Sequence, residues 1–257
     1  MIIKNPGSAH MDTKLDPFDQ IPMYYQLYNK VRQKIEDSEW KPRQPIPSER
    51  ELQEFYNVSR TTVRQAVSLL VNHGFLYREH GRGTFVSPPK LNNSLHVLSS
   101  FSEDMRSRGM EPGQQILQIK WVEPSTKIRQ QLELPDDRKS VLLITRLRLA
   151  NDEPIGIHSA YLPLREEEGF STESLEAYGS LYKLLEEKYD RIPTEADETI
   201  ESVVADEREA ALLNIYPGSP LLLIQRIVWS QKREAMEYVK VIYRADRYQY
   251  YIHLSRQ

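Results

Sequence analysis

Two serines, Ser48 and Ser59, each read as a helix start, and they stand so close that the helix between them has room for about two turns. Ser48 is followed three residues later by Glu51. The hydroxyl can accept from a free amide of the first turn while the glutamate reaches back to the serine N–H. This helix ends near Tyr56. Ser59 caps the next one, whose Val63, Ala66, Val67 and Leu70 form a single apolar stripe, and Gly74 stops it. A short helix, a tight connection and a second helix make a helix-turn-helix.

The second helix opens Ser59-Arg60-Thr61-Thr62-Val63-Arg64. Arginine in a first turn opposes the helix macrodipole by roughly a few tenths of a kcal/mol, so a purely structural helix more often carries acids there. Arg60 and Arg64 are four apart and share the face opposite the apolar stripe. A planar guanidinium matches O6 and N7 of guanine together. Short hydroxyls such as Thr61 and Thr62 can donate to phosphates without holding the helix away from the duplex. The pattern predicts a helix that reads DNA, with Ser48, Glu49 and Arg50 of the preceding helix beside it. Glu49 is expected to orient Arg50 rather than to touch the duplex.

The flanks agree. From Ile21 to Asp37 the residues Leu27, Val31 and Ile35 recur every four positions, an amphipathic helix. Three prolines between Trp40 and Pro47 turn the chain. Phe75 to Arg78 and Thr84 to Val86 read as strands of a hairpin whose tip, Glu79-His80-Gly81-Arg82-Gly83, is basic and glycine-bearing. Gly81 and Gly83 permit a tight turn and a close approach of Arg82 and Thr84 to a duplex. Residues 16–87 are therefore expected to form a winged helix-turn-helix.

Charge supports that placement. The chain of 257 residues carries a net −3. Residues 17–90 hold 11 Lys and Arg against 8 Asp and Glu, a balance of +3, whereas residues 91–257 hold 21 against 27, a balance of −6. A phosphate-binding surface belongs in the first part. With no cysteine there is no disulfide framework and no thiolate metal site. No apolar run reaches the roughly 20 residues of a membrane span, and no apolar h-region opens the chain. The expected compartment is the cytoplasm. Gly7-Ser8-Ala9-His10-Met11 reads as a cloning scar, so residues 1–15 are expected to lie outside the fold.

Polar, proline-marked residues 88–95 are expected to be a linker. Beyond them the chain alternates strand-like runs with single helices. Ser100 with Glu103 and Asp206 with Glu209 offer capping boxes, and Ser180 opens a helix to Tyr189. Strand-like runs lie at 116–122, 140–150, 154–162, 198–204, 220–230, 235–245 and 247–254. The expected architecture is α+β throughout: an N-terminal winged helix-turn-helix plus a C-terminal α+β domain, residues 96–257, on an antiparallel sheet.

Within Val141 to Ala150 the side chains alternate, so Leu142, Ile144, Arg146 and Arg148 share one face. Two arginines side by side repel unless an anion sits between them. A phosphate or carboxylate ligand fits, gripped bidentately; on the residues alone, a solvent-facing strand with salt bridges to Asp or Glu is the stronger reading. A helix N-terminus at Ser180 can cap itself or receive an anion. No paired catalytic carboxylates, Ser-His-Asp order, metal triad or phosphate loop stands out, so no catalytic residues, metal ligands or cofactors are assigned.

Residues 22–86 resemble the GntR-type winged-helix repressors: Pro47 to Leu52, Val58 to Arg64, Gly74 and Gly81 to Val86 follow that family's pattern almost letter for letter. Residues 95–255 resemble the UTRA effector domain of its HutC branch, similar in fold to chorismate lyase. The residues that carry this are Arg146, Arg148, Tyr161-Leu162-Pro163, Ser180-Leu181-Tyr182 and the run Tyr243 to Tyr248. The resemblance implies a homodimeric repressor on a double-stranded DNA operator, controlled by a small anionic metabolite, often a sugar phosphate. It places the wing near the minor groove, where His80 adds a contact. It places Phe101, Ser102, Arg146, Arg148, His158, Ser180, Tyr182, Glu237 and Tyr243 at the ligand, although for Tyr182 and Tyr243 a core aromatic with a satisfied hydroxyl is an equal reading. Two departures are visible. Arg43 stands where the family usually has glycine, and His158 stands where sugar-phosphate-responsive members often carry glutamate. A titratable, partly donating ring there argues against transferring their ligand. The competing reading is a lyase-like enzyme with an accessory DNA-binding head.

Overall fold

A computed structural model describes residues 15–79, 81–88, 91–94 and 98–251. The chain divides into two compact units between residues 89 and 90. His80 and residues 1–14 of the expected scar lie outside the described residues.

In the first unit, helices α1 (Met23–Glu36), α2 (Glu49–Tyr56) and α3 (Arg60–Asn72) precede a hairpin of β1 (Leu76–Glu79) and β2 (Gly83–Val86). Both predicted caps form. Ser48 and Glu51 exchange hydrogen bonds as a capping box, and Ser59 Oγ accepts from the Thr62 N–H at 3.1 Å. Asn57 in the left-handed region ends α2 and frees the chain to turn into α3. The core joins Leu27 and Val31 of α1, Leu52 of α2, the α3 stripe, and Leu76 and Val86 of the hairpin. Each such side chain contributes roughly 1.5–3 kcal/mol by leaving water. The segment before α2 also packs on the hairpin: Arg43 N–H donates to Val86 O at 2.8 Å and Ile46 N–H to Thr84 O at 2.9 Å. Arg43 itself sits at φ 64°, the left-handed conformation glycine would favour. The turn is kept although the glycine is not.

In the second unit, six antiparallel strands run in the order β4-β5-β6-β9-β8-β7: β4 (Pro112–Val122), β5 (Val141–Ala150), β6 (Glu153–Leu162), β9 (Ala235–Arg244), β8 (Pro220–Ser230) and β7 (Pro193–Val204). Helices α4 (Phe101–Ser107), α6 (Thr172–Tyr178) and α7 (Leu181–Tyr189) supply Met105, Leu175, Leu181 and Leu184 to the main core on one sheet face. Helices α5 (Thr126–Gln131) and α8 (Glu207–Leu213) accompany two smaller clusters. Within the stretch expected to be a linker, β3 (Leu91–Ser94) forms a strand, and it pairs in parallel with β10 (Tyr248–Tyr251). The last expected strand thus leaves the antiparallel sheet for a two-stranded sheet of its own.

Candidate functional site

The reading face of the first unit is α3. Its apolar stripe turns inward, leaving Arg60, Thr61 and Arg64 exposed. Neither arginine has an ion-pair partner among the described residues, so both guanidinium groups are available. Thr62 is less free: its hydroxyl bonds Ser59 Oγ at 2.8 Å and steadies the cap. The expectation for Glu49 needs correcting. Glu49 pairs with Arg78 of β1 at 3.9 Å, and Arg50 pairs with Glu54 at the same distance. A side chain at the first position of α2 projects toward the hairpin, whereas Arg50, one step round the helix, meets the residue four further on. Arg78 also donates to Ser68 Oγ of α3 at 3.2 Å, tying the wing to the reading helix. The sequence reading missed it, although an arginine on a strand next to a basic tip was the available signal. At the tip, Gly81 and Gly83 adopt φ 72° and 119°, and Arg82 pairs with Glu79 and lies over the Phe85 ring at 5.8 Å.

The second unit encloses a cavity of about 60 Å³ against the main core face of the sheet. Arg146 lies opposite His158, and Arg148 opposite Gly156, across β5 and β6. Gly156 in turn faces Tyr243 on β9. Strand alternation therefore delivers both arginines, His158 and Tyr243 to one face. From above the sheet come Phe101 at the start of α4 and Ser180 and Tyr182 at the start of α7. Ser102 differs from expectation. It is not part of the lining; its hydroxyl donates to Gly179 O at 3.1 Å and holds the two helix starts together.

Arg146 and Arg148 are 4% and 3% exposed, so the solvent-facing alternative does not apply. Among the described residues neither forms a salt bridge with a carboxylate. Instead both donate to Oε1 of Gln114, at 3.2 and 2.7 Å, while the Nε of each is buried with no hydrogen-bond partner among the described residues. The Arg148 guanidinium stacks 4.0 Å from the Phe101 ring centroid. Burial depresses both arginines, and for Arg148 the neighbouring Arg146 adds to it.

His158 bonds the Tyr243 hydroxyl through Nε2 at 2.9 Å. Burial, then Arg148 and Arg146, hold its pKa well below the ordinary histidine value, so the ring is neutral near pH 7. The other end of the cavity carries Glu237, Tyr182 and Arg226. Tyr182 stands beside Glu237 and Arg226 in the lining, and Arg226 pairs with Glu198 on β7. Burial raises Glu237 above the usual carboxylate range, against the pull of Arg226 and Arg146. Arg226 and Gln114 were also missed. Arg226 follows Leu222 and Ile224 in the inward alternation of β8, the same signal that exposed Arg146. In the lining, Arg146, Arg148 and Arg226 stand with Glu237, while Glu198 pairs with Arg226 from outside the lining and Asp104 is already paired with Arg108. The balance is one positive charge in a place where water is scarce.

A three-helix head with a wing and an arginine-led reading helix, joined to an α+β unit around a charged cavity, defines a DNA-binding regulator with an effector domain. Residues 23–86 match the gntR family of bacterial regulatory proteins and residues 107–249 match the UTRA domain; the chain belongs to this family of transcriptional regulators. It is 42% identical over 237 residues to the HTH-type transcriptional repressor NagR of Bacillus subtilis, covering 92% of this chain and 96% of that one. It is 27% identical to the mannosyl-D-glycerate transport/metabolism system repressor MngR of Escherichia coli, over 92% of this chain and 97% of that one. Among solved structures it is similar to PhnF from Mycobacterium smegmatis, with TM-score 0.59 at 25% identity, over 90% of this chain and 99% of that one. Among the described residues no helix is long and apolar enough to cross a membrane.

Proposed function

We propose that the protein is a homodimeric repressor of a catabolic or transport operon, with a head at residues 16–87 and an effector domain at 96–257. The effector is a small anionic metabolite, a sugar phosphate or a carboxylate, bound in the cavity. The observation that carries this reading is the pair of buried guanidinium groups with unpartnered Nε atoms. A buried donor without an acceptor costs about 1–3 kcal/mol, and more when charged, and an oxyanion placed there would satisfy both. The excess positive charge selects an anion, while Glu237 and Tyr182 at the far end accept or share hydrogen bonds with hydroxyls. The repressors NagR and MngR support the regulatory sense. A single winged helix contacts few bases, and two joined heads gain affinity through effective concentration. Ligand binding acts by favouring one spacing of the heads over another. Such a regulator works in the cytoplasm, on the chromosome.

A thermal-shift screen of phosphosugars and small carboxylates tests the assignment. At least one compound should raise Tm of the wild type and leave Arg146→Ala unmoved. Equal shifts in both proteins would place the ligand elsewhere.

A further inference from the structure

Tyr248 lines the cavity, yet it does not belong to the six-stranded sheet. Its ring lies flat on Tyr243, with centroids 3.9 Å apart and planes 7° from parallel. Its hydroxyl donates to Asp104 Oδ2 at 3.2 Å, and Arg108 of the same helix region lies over its ring at 5.4 Å. Asp104 sits one turn beyond Ser100 and Phe101, which also line the cavity. Tyr243, Tyr250 and Asp104, which all line the cavity, thus contact Tyr248.

Among the described residues, the strand that Tyr248 opens pairs with one other strand. In the parallel pair of β10 and β3, Tyr248 stands opposite Leu91, Gln249 opposite Asn92, Tyr250 opposite Asn93 and Tyr251 opposite Ser94. Leu91 comes two residues after position 89, where the DNA-binding unit ends. A two-stranded sheet of four residues a side is at best marginally stable alone, and parallel pairing is slightly weaker than antiparallel. Its order draws on what anchors it: the Tyr243–Tyr248 stack, and beside it Tyr250, which also lines the cavity and packs on the main core.

We infer that the Tyr243–Tyr248 stack and the β10–β3 pair transmit the state of the effector cavity to the segment entering that cavity's domain from the DNA-binding head. This rests on reading the cavity as the effector site. Tyr243 is held from below by Gly156, where a Cβ would fall 2.5 Å from the ring, and from the side by His158. A ligand that takes the Tyr243 hydroxyl or displaces its ring shifts Tyr248 with it. The register then passes that shift to Leu91. Tyr248 is a positioning residue in this scheme: it orders β3, whatever else it touches. The device is bistable because the weak strand pair is either clamped or released.

Amide exchange on the full chain over minutes tests the route without any ligand. Gly156→Ala puts a Cβ 2.5 Å from the Tyr243 ring and 2.9 Å from Ile242 O, so it displaces Tyr243 and presses on the β6–β9 pairing, far along the chain from either strand of the pair. It should speed exchange at residues 91–94 at least tenfold, with residues 221–228 of β8 still unexchanged on that time scale. Tyr248→Leu, outside the main sheet, should do the same, and Tyr248→Phe, which keeps the ring, should stay within about threefold of wild type. If Gly156→Ala opens the whole sheet within minutes, Tyr248→Leu against Tyr248→Phe decides. Unchanged exchange at 91–94 in Tyr248→Leu, or equal acceleration in Leu and Phe variants, would overturn the route. Failure of the anion assignment would appear instead as equal thermal shifts in wild type and Arg146→Ala, with the exchange pattern intact.

Discussion

Gln114 gives one carboxamide oxygen to two buried arginines, accepting from Arg148 at 2.7 Å and from Arg146 at 3.2 Å. A neutral oxygen there leaves most of the guanidinium charge uncompensated. Replacing it with a carboxylate, Gln114→Glu, should mimic the occupied cavity. Hydrogen bonds to charged groups contribute about 1.5–3 kcal/mol, so Tm of the ligand-free protein should rise. Any phosphosugar or carboxylate that stabilises the wild type should lose at least tenfold in affinity, measured by calorimetry. An unchanged affinity would mean that the anion does not meet this arginine pair.

His158 is buried against Arg148, Arg146, Arg226 and Tyr243, and its folded pKa lies well below the ordinary 6.5. Below about pH 6.5 the unfolded chain takes up a proton that the folded chain refuses. Stability tied to this residue is therefore full above pH 6.5 and falls as pH drops toward its lowered folded value. His158→Gln keeps a polar side chain without that titration. The difference in Tm, wild type minus variant, should shrink steadily between pH 7 and pH 5. Glu237 titrates in both proteins, so it cancels in the difference.

Arg60 is exposed and unpaired among the described residues, whereas Arg50 holds Glu54 and Arg82 holds Glu79. A free guanidinium at the start of α3 loses no intramolecular partner when it meets a base. Arg60→Ala should cost about 1–3 kcal/mol on the cognate operator and relax base preference. Arg82→Ala should instead weaken all sequences about equally and reduce the salt slope by about one unit. Gel-shift titrations at two salt concentrations separate the two behaviours, and wild-type affinity in Arg60→Ala would remove α3 from the recognition role.

Local chemistry explains why the head was more legible in the sequence than the cavity. Ser48, Glu51 and Ser59 act within three residues of themselves, so capping and the α3 stripe could be read directly. Alternation on β5 likewise put Arg146 and Arg148 on one face. Long-range partners leave no such trace. Glu49 meets Arg78 rather than Arg50 because the hairpin folds back, and Gln114 reaches Arg148 only through the pairing of β4 with β5. Strand β3 carries no apolar alternation and is ordered by a partner more than 150 residues away in sequence, so its segment reads as a linker. Ser102 points to Gly179 because two helix starts converge, which no spacing announces.

Arg43 keeps a left-handed backbone, φ 64°, while its N–H donates to Val86 O and so holds the segment before α2 on the wing. A side chain in that region costs roughly 1–2 kcal/mol that glycine avoids. Glycine also gives the unfolded chain more freedom, which returns about 0.4–1 kcal/mol of that gain. Arg43→Gly should accordingly be neutral to about 1 kcal/mol more stable, with Tm of the head unchanged or a few degrees higher. Arg43→Ala relieves no backbone strain and should show no such gain. If glycine proved the less stable of the two, the arginine side chain would be contributing contacts that outweigh its strained backbone.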